Sequence, residues 1–346
     1  MKNYLLLVLV SLLGQAFGQR GFVPIDPSLI GEEKWGFLRQ ALKNNRIVAL
    51  GESLHGVKEF NATKVELIQY LHEELGYNVL ATESDVARNF WGNLDRNNIP
   101  DSVMVEQLFI TPWHTTEYLE LVHYLKAHPQ LQLIGFDSDN RASALAIQQL
   151  LQISVDTTTV AARAFQQQHA QWPAVSGRGM AAAMGQRDST MADIAQWIID
   201  EQYPDQKIIL LAHNHHIANA PQYGACMGAL LKNRYRRKYY SIGFYHSLGD
   251  PVHLLRHFTY ENDSTKLTEN SVQAKFLATG QDQVFVNIRQ QQKKQYPWLF
   301  KSLDSIFSTN EPVTTIQLSD AFDGLIWIKT VTHPAYVIPH EIWDRN

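Results

Sequence analysis

With one cysteine in 346 residues, Cys226, the chain cannot form an intramolecular disulfide, so packing must hold it together. Charge of one sign is missing as well. Lys+Arg total 30 against Asp+Glu 34, a formal net charge of -4, which supplies no overall basic field for a phosphate backbone or an anionic bilayer. Nucleic acid is therefore excluded as an expected partner. No window beyond the N-terminus approaches the roughly 18 uncharged apolar residues that a membrane-spanning helix needs. Several catalytic signatures are absent too. Ser53 stands in Gly51-Glu52-Ser53-Leu54-His55, which is no Gly-x-Ser-x-Gly elbow, so a serine nucleophile is unsupported. His72-Glu73-Glu74-Leu75-Gly76 lacks the second histidine of a zinc-protease helix, and neither a P-loop nor a Gly-x-Gly-x-x-Gly turn follows an apolar run.

What the chain does contain is 45% hydrophobic and 18% charged residues, enough to bury a sizeable core. Lys2, the apolar run 4–13 and Ala16-Phe17-Gly18 before Gln19 read as a secretory signal peptide over residues 1–18, cleaved after Gly18. The expected product is exported, periplasmic or secreted, with one domain over 19–346. Short apolar runs at 46–50, 78–82, 131–136, 207–212, 239–244, 284–288 and 325–328 alternate with helical patterns, which predicts an α/β fold with a mostly parallel sheet flanked by helices. Between the first two runs Val57, Phe60, Leu67, Ile68, Leu71 and Leu75 keep the helical period, and Gly76 closes the segment as a C-cap. A Gln- and Ala-rich stretch reads as a helical excursion over about 138–205, beside the site. The basic run 234–238 reads as a solvated helix end before a strand.

In parallel α/β sheets ligands bind beyond the carboxyl ends of the strands, and four apolar runs end there in polar residues. The first gives way to Glu52 and His55, the second to Glu83, the third to Asp137, and the fourth to His213, Asn214 and His216. On neighbouring strands these side chains would converge. Histidines beside carboxylates suit general acid–base chemistry, and they equally suit a divalent metal. Helix capping is the duller use of Glu52, Asp137 and the two later histidines, and a salt bridge that of Glu83. Cys226, in Ala225-Cys226-Met227-Gly228, reads as part of a packed helix face.

Gly51-Glu52-Ser53-Leu54-His55-Gly56 with Glu59-Phe60 and Lys64, then Glu73-Glu74-Leu75-Gly76-Tyr77 and a strand ending at Glu83, resembles the opening of the erythromycin esterase family. Trp113 with Glu117, Ile134-Gly135-Phe136-Asp137, Arg187-Asp188, His213-Asn214-His215-His216 and Phe322-Asp323-Gly324 follow in that family's order. The resemblance implies an α/β hydrolase in which a histidine activates water for attack on an ester carbonyl, with a macrolide lactone as one candidate substrate. It places the general base on His55, its carboxylates on Glu52 and Glu83, a further cleft histidine on His213, and an oxyanion partner on Arg187. His216, Lys64 and Asp137 are the expected substrate contacts. The stretch from Asp137 to Arg187 is short for a macrolide-cleaving member. No resident cofactor is implied. A metal-dependent hydrolase on the same ligands, and an exported protein that binds a metal complex or tetrapyrrole through the paired histidines, stand as alternatives.

Overall fold

A computed structural model describes residues 22–86, 96–137, 180–221, 225–250, 267–305 and 314–338. The expected signal segment and residues 138–179 of the excursion lie outside the described residues. Ten strands occur among them, in chain order β1 (Phe22–Pro24), β2 (Ile47–Leu50), β3 (Tyr77–Asp85), β4 (Gln132–Asp137), β5 (Lys207–Leu211), β6 (Tyr239–Asp250), β7 (Gln283–Asn287), β8 (Ser302–Ser305), β9 (Thr314–Gln317) and β10 (Gly324–Thr332). Eight form one sheet in the order β1-β7-β10-β6-β2-β5-β3-β4, and β8 and β9 make a separate antiparallel pair.

From β10 to β4 every neighbour is parallel, as the apolar runs predict. The run at 284–288 differs, because β7 lies antiparallel to β10 and carries β1 antiparallel on its outer side. Periodicity alone does not record strand direction, and three residues are too few to announce β1. The central strands are buried on both faces, and this explains their continuous apolar runs. Val48, Leu50, Leu80 and Ile209 pack under the helices Lys58–Leu75 and Thr116–Ala127, while Ile47, Ala49, Val79 and Ile208 pack under Met180–Trp197 and Met227–Tyr235.

The helix Lys58–Leu75 stops at Gly76, whose φ of 71° lets its N–H turn back to the His72 carbonyl, as the C-cap reading expects. Cys226 is buried at the start of the helix Met227–Tyr235. From residue 180 the described part of the excursion is helical up to Gln202, its last five residues as a π turn. No helix among the described residues is long and apolar enough to cross a membrane.

Candidate active site

The four strands whose ends carry the polar residues are neighbours, in the order β2-β5-β3-β4. Their carboxyl ends therefore bring Glu52, His213, Glu83 and Asp137 to one edge of the sheet. The loop after β2 passes close to the loop after β5. Asn214 donates its backbone N–H to the Glu52 carbonyl (2.8 Å), and its side chain exchanges two hydrogen bonds with the Phe244 backbone of β6 (2.9 and 3.1 Å). A β-carbon on Gly51 would meet that amide at 2.1 Å, so only glycine lets the two loops close.

Glu52 is fully buried and both its carboxylate oxygens are engaged. One oxygen holds His55 Nδ1 at 2.5 Å and accepts the indole N–H of Trp113 at 2.8 Å, and the other receives the ammonium of Lys64. Burial alone would raise this carboxyl, but Lys64 and His55 outweigh it and hold it at about 2. Lys64 is itself unexposed and lies 5.0 Å from the centroid of the Trp113 ring, which stacks on Tyr118. His55 is the outward member, its side chain 31% exposed, and Nε2 has no hydrogen-bond partner among the described residues. An imidazole with Nδ1 anchored on a carboxylate and Nε2 open is a positioned proton acceptor.

His213 lies 5.1 Å from His55 between ring centroids. It caps the short helix Asn214–Ile217, with Nδ1 accepting the His215 N–H (3.2 Å) and Nε2 facing the Ser53 carbonyl (3.2 Å). The ring is thus the neutral Nε2–H tautomer. Burial, helped by His55 and His216, pushes it down to about 3. The capping reading and the cleft reading of His213 describe the same ring.

Behind His213 lies a second network. Its backbone N–H donates to Glu83 (2.9 Å), whose other oxygen takes Arg187 Nη2 (2.8 Å). Arg187 also grips Asp137 through Nη2 (2.5 Å) and Nε (3.2 Å). His216 places Nδ1 on Asp188 (2.9 Å) and Nε2 toward Glu83 (3.3 Å). Burial would lower His216, but Glu83 and Asp188 raise it to about 9, so at neutral pH it is an imidazolium that donates through Nδ1 to Asp188 and pairs with Glu83 by charge. Arg187 Nη1, 3.0 Å from His216 Nε2, is then the part of the guanidinium that no carboxylate holds. Glu83 stays ionised well below the usual range, since His216 and Arg187 overcome its burial.

The erythromycin esterase family model matches residues 152–331, just over half of the chain. The chain belongs to the erythromycin esterase family. It is an ester-hydrolysing enzyme. Its sequence is 26% identical to YbfO of Bacillus subtilis (strain 168) over 92% of this chain and 91% of that protein. It is 29% identical to erythromycin esterase type II of Escherichia coli over 45% of this chain and 39% of that protein. Two solved structures share the fold. A Bacillus cereus protein superposes with a TM-score of 0.69 over 94% of this chain and 98% of that one, at 20% identity. An erythromycin esterase EreC mutant in its open conformation superposes with a TM-score of 0.66 over 92% and 100%, at 16% identity.

Within this esterase the sequence-expected residues gather into two adjoining clusters, Glu52 with His55 and Lys64, and Glu83 with Asp137, Arg187 and His216. Three of them, His216, Lys64 and Asp137, are 3%, 0% and 3% exposed, and their polar atoms bind other site residues. Trp113 and Asp188 complete the site. Both stood in the motifs of the resemblance, but nothing in the chain order says that the Trp113 indole reaches Glu52 or that Asp188 reaches His216. Asp188, His215 and His216 also form, among the described residues, a group whose donor atoms lie within 4.8 Å of one another, a set of nitrogen and oxygen ligands that suits a divalent metal. One Asp188 oxygen already accepts from His216 and from the Met227 N–H (2.9 Å), while the other is buried without a hydrogen bond. Asn61-Ala62-Thr63 matches the N-glycosylation acceptor pattern, but Asn61 is buried inside its helix.

Proposed function

We propose that this exported protein hydrolyses a carboxylic ester with His55 as the general base and without a nucleophilic serine. The observation that carries the reading is the buried Glu52 carboxylate, kept ionised and fixed on His55 Nδ1 at 2.5 Å, with Nε2 left open on the exposed side. His55 Nε2 takes a proton from water as the water oxygen bonds to the ester carbonyl carbon. Glu52 stabilises the imidazolium without taking its proton. Arg187, whose Nη1 faces His216 Nε2 and is held by no carboxylate, is the cation for the developing oxyanion. On collapse the carbon–oxygen ester bond breaks, His55 returns the proton to the leaving oxygen, and an acid and an alcohol depart. Export rests on the N-terminal apolar run and the small-residue site at 16–18.

A macrolide lactone, giving antibiotic inactivation, is the substrate suggested by the names of the family and of two similar proteins. The alignment with the Bacillus subtilis protein spans 409 positions against 346 residues here, so this chain lacks segments present in that protein. The deciding experiment is hydrolysis of a panel from small aryl esters to macrolide lactones, with His55→Ala and EDTA-treated enzyme in parallel. Turnover lost in His55→Ala and kept in EDTA supports the metal-free mechanism, and the panel names the substrate. Turnover retained in His55→Ala removes it.

Metal-dependent hydrolysis is the second reading, and its own observation is the buried Asp188 oxygen that accepts no hydrogen bond, beside His215 and His216. Activity abolished by EDTA and restored by one divalent metal would put it first.

A further inference from the structure

The opposite edge of the sheet holds a cavity of about 740 Å³, built independently of the esterase site. It opens where β2 and β6 begin and β7 ends, and three separate segments wall it. These are the end of the helix Phe37–Leu42 with the turn after it, the end of the helix Met227–Tyr235 with the turn into β6, and the residues that follow β7. Its volume is that of a small-molecule site.

Five cations line it, Lys43, Lys232, Arg236, Arg237 and Arg289, with no carboxylate among the lining residues. That is one sixth of the 30 basic residues of a chain whose net charge is negative. Two of the five are fixed from behind. Buried Asp323 takes Lys232 Nζ at 2.7 Å and Arg289 Nε at 2.6 Å, and the Arg289 guanidinium lies 4.6 Å over the Tyr240 ring. The other three have no carboxylate partner among the described residues. Helix C-termini attract one or two cations, but the dipole of a last turn does not account for five from three segments in one concavity.

A second observation singles out Arg236. Its backbone sits at φ 52°, ψ -116°, a conformation that L residues rarely adopt and that glycine accepts without strain. The chain carries arginine where its backbone asks for glycine, and strain of this kind gathers at ligand clamps.

We propose that this cavity binds a small multivalent anion carrying linked phosphate-like groups. Clustered guanidinium and ammonium groups recognise such a ligand by paired charge-assisted hydrogen bonds, and Asn44 and Asn233 also line the cavity.

The test titrates the mature protein with tripolyphosphate by calorimetry and thermal melting, with orthophosphate and phosphatidylglycerol vesicles as comparison arms. The expected result is one saturable tripolyphosphate site, tighter than orthophosphate, weakened by added sodium chloride and accompanied by a higher melting temperature. Lys43→Gln/Arg236→Gly/Arg237→Gln spares the Asp323 contacts and relieves the backbone at 236. It should weaken binding by at least about tenfold and leave ester hydrolysis unchanged. The proposal fails if tripolyphosphate shows no saturable binding, if the folded triple variant binds it as the wild type does, or if only vesicles are bound.

Discussion

The ammonium of Lys64, without solvent exposure, rests on one oxygen of Glu52 while the other oxygen holds His55 Nδ1 at 2.5 Å. A carboxylate between a buried cation and an imidazole stays ionised, and under the proposed mechanism it meets a second positive charge when the ring takes a proton. The helical lysine that the sequence aligned with substrate thus sets the charge of the carboxylate that holds His55.

Glu52→Gln should lower kcat by about 10²- to 10⁴-fold, since the imidazolium loses its counter-charge. The same change leaves Lys64 buried without a partner, at a cost of about 3–5 kcal/mol of stability. Lys64→Met should cost a similar amount by stranding Glu52. The double variant Glu52→Gln/Lys64→Met should recover melting temperature but not activity. A double variant as unstable as the sum of the singles would show that the pair is not coupled.

Stability should fall on both sides of neutrality, for different residues. His216, raised to about 9, stabilises the fold fully below its ordinary 6.5, and that contribution disappears as pH rises through about 9. His213, lowered to about 3, contributes fully above 6.5 and loses it as pH falls toward 3. Glu52, held at about 2, adds to the acid loss below 4.5. Melting temperature measured across pH in His216→Gln should lose the alkaline decline and keep the acid one. An alkaline limb identical to wild type would mean that His216 is not charged.

Gly51→Ala should destabilise the enzyme by about 1–3 kcal/mol, because the new methyl meets the Asn214 amide that ties the loop after β5 to β6. Denaturant melts will check this. Moving Glu52 and His55 with the loop should cost activity in the surviving folded fraction, so a stable, fully active Gly51→Ala enzyme would mean that the loop contact is not needed.

Trp113→Phe keeps a ring against Tyr118 and removes the N–H that Glu52 accepts at 2.8 Å. A hydrogen bond to a charged group contributes about 1.5–3 kcal/mol, so a fall of about tenfold or more is expected, in kcat more than in KM. Steady-state kinetics alongside circular dichroism separates this from unfolding. An equal change in KM with kcat intact would place Trp113 in substrate binding instead.

Much of this was legible in the chain. Period and length determine the α/β class, because a strand buried on both faces must read as an unbroken apolar run and a covering helix as a 3.6-residue stripe. The positions of Glu52, Glu83, Asp137 and His213 just past four such runs place them at one sheet edge once the strands are parallel neighbours. Tertiary structure decided what their side chains meet. Whether a helical lysine faces solvent or a carboxylate depends on a rotation that local sequence constrains only weakly, and Lys64 faces Glu52. The reach of Trp113 to Glu52 across 61 positions, the closure of Asn214 over Gly51, and the capture of Arg187 by Glu83 and Asp137 are contacts between segments distant in the chain. No spacing encodes them, since they arise only when strand order β2-β5-β3-β4 brings those segments together.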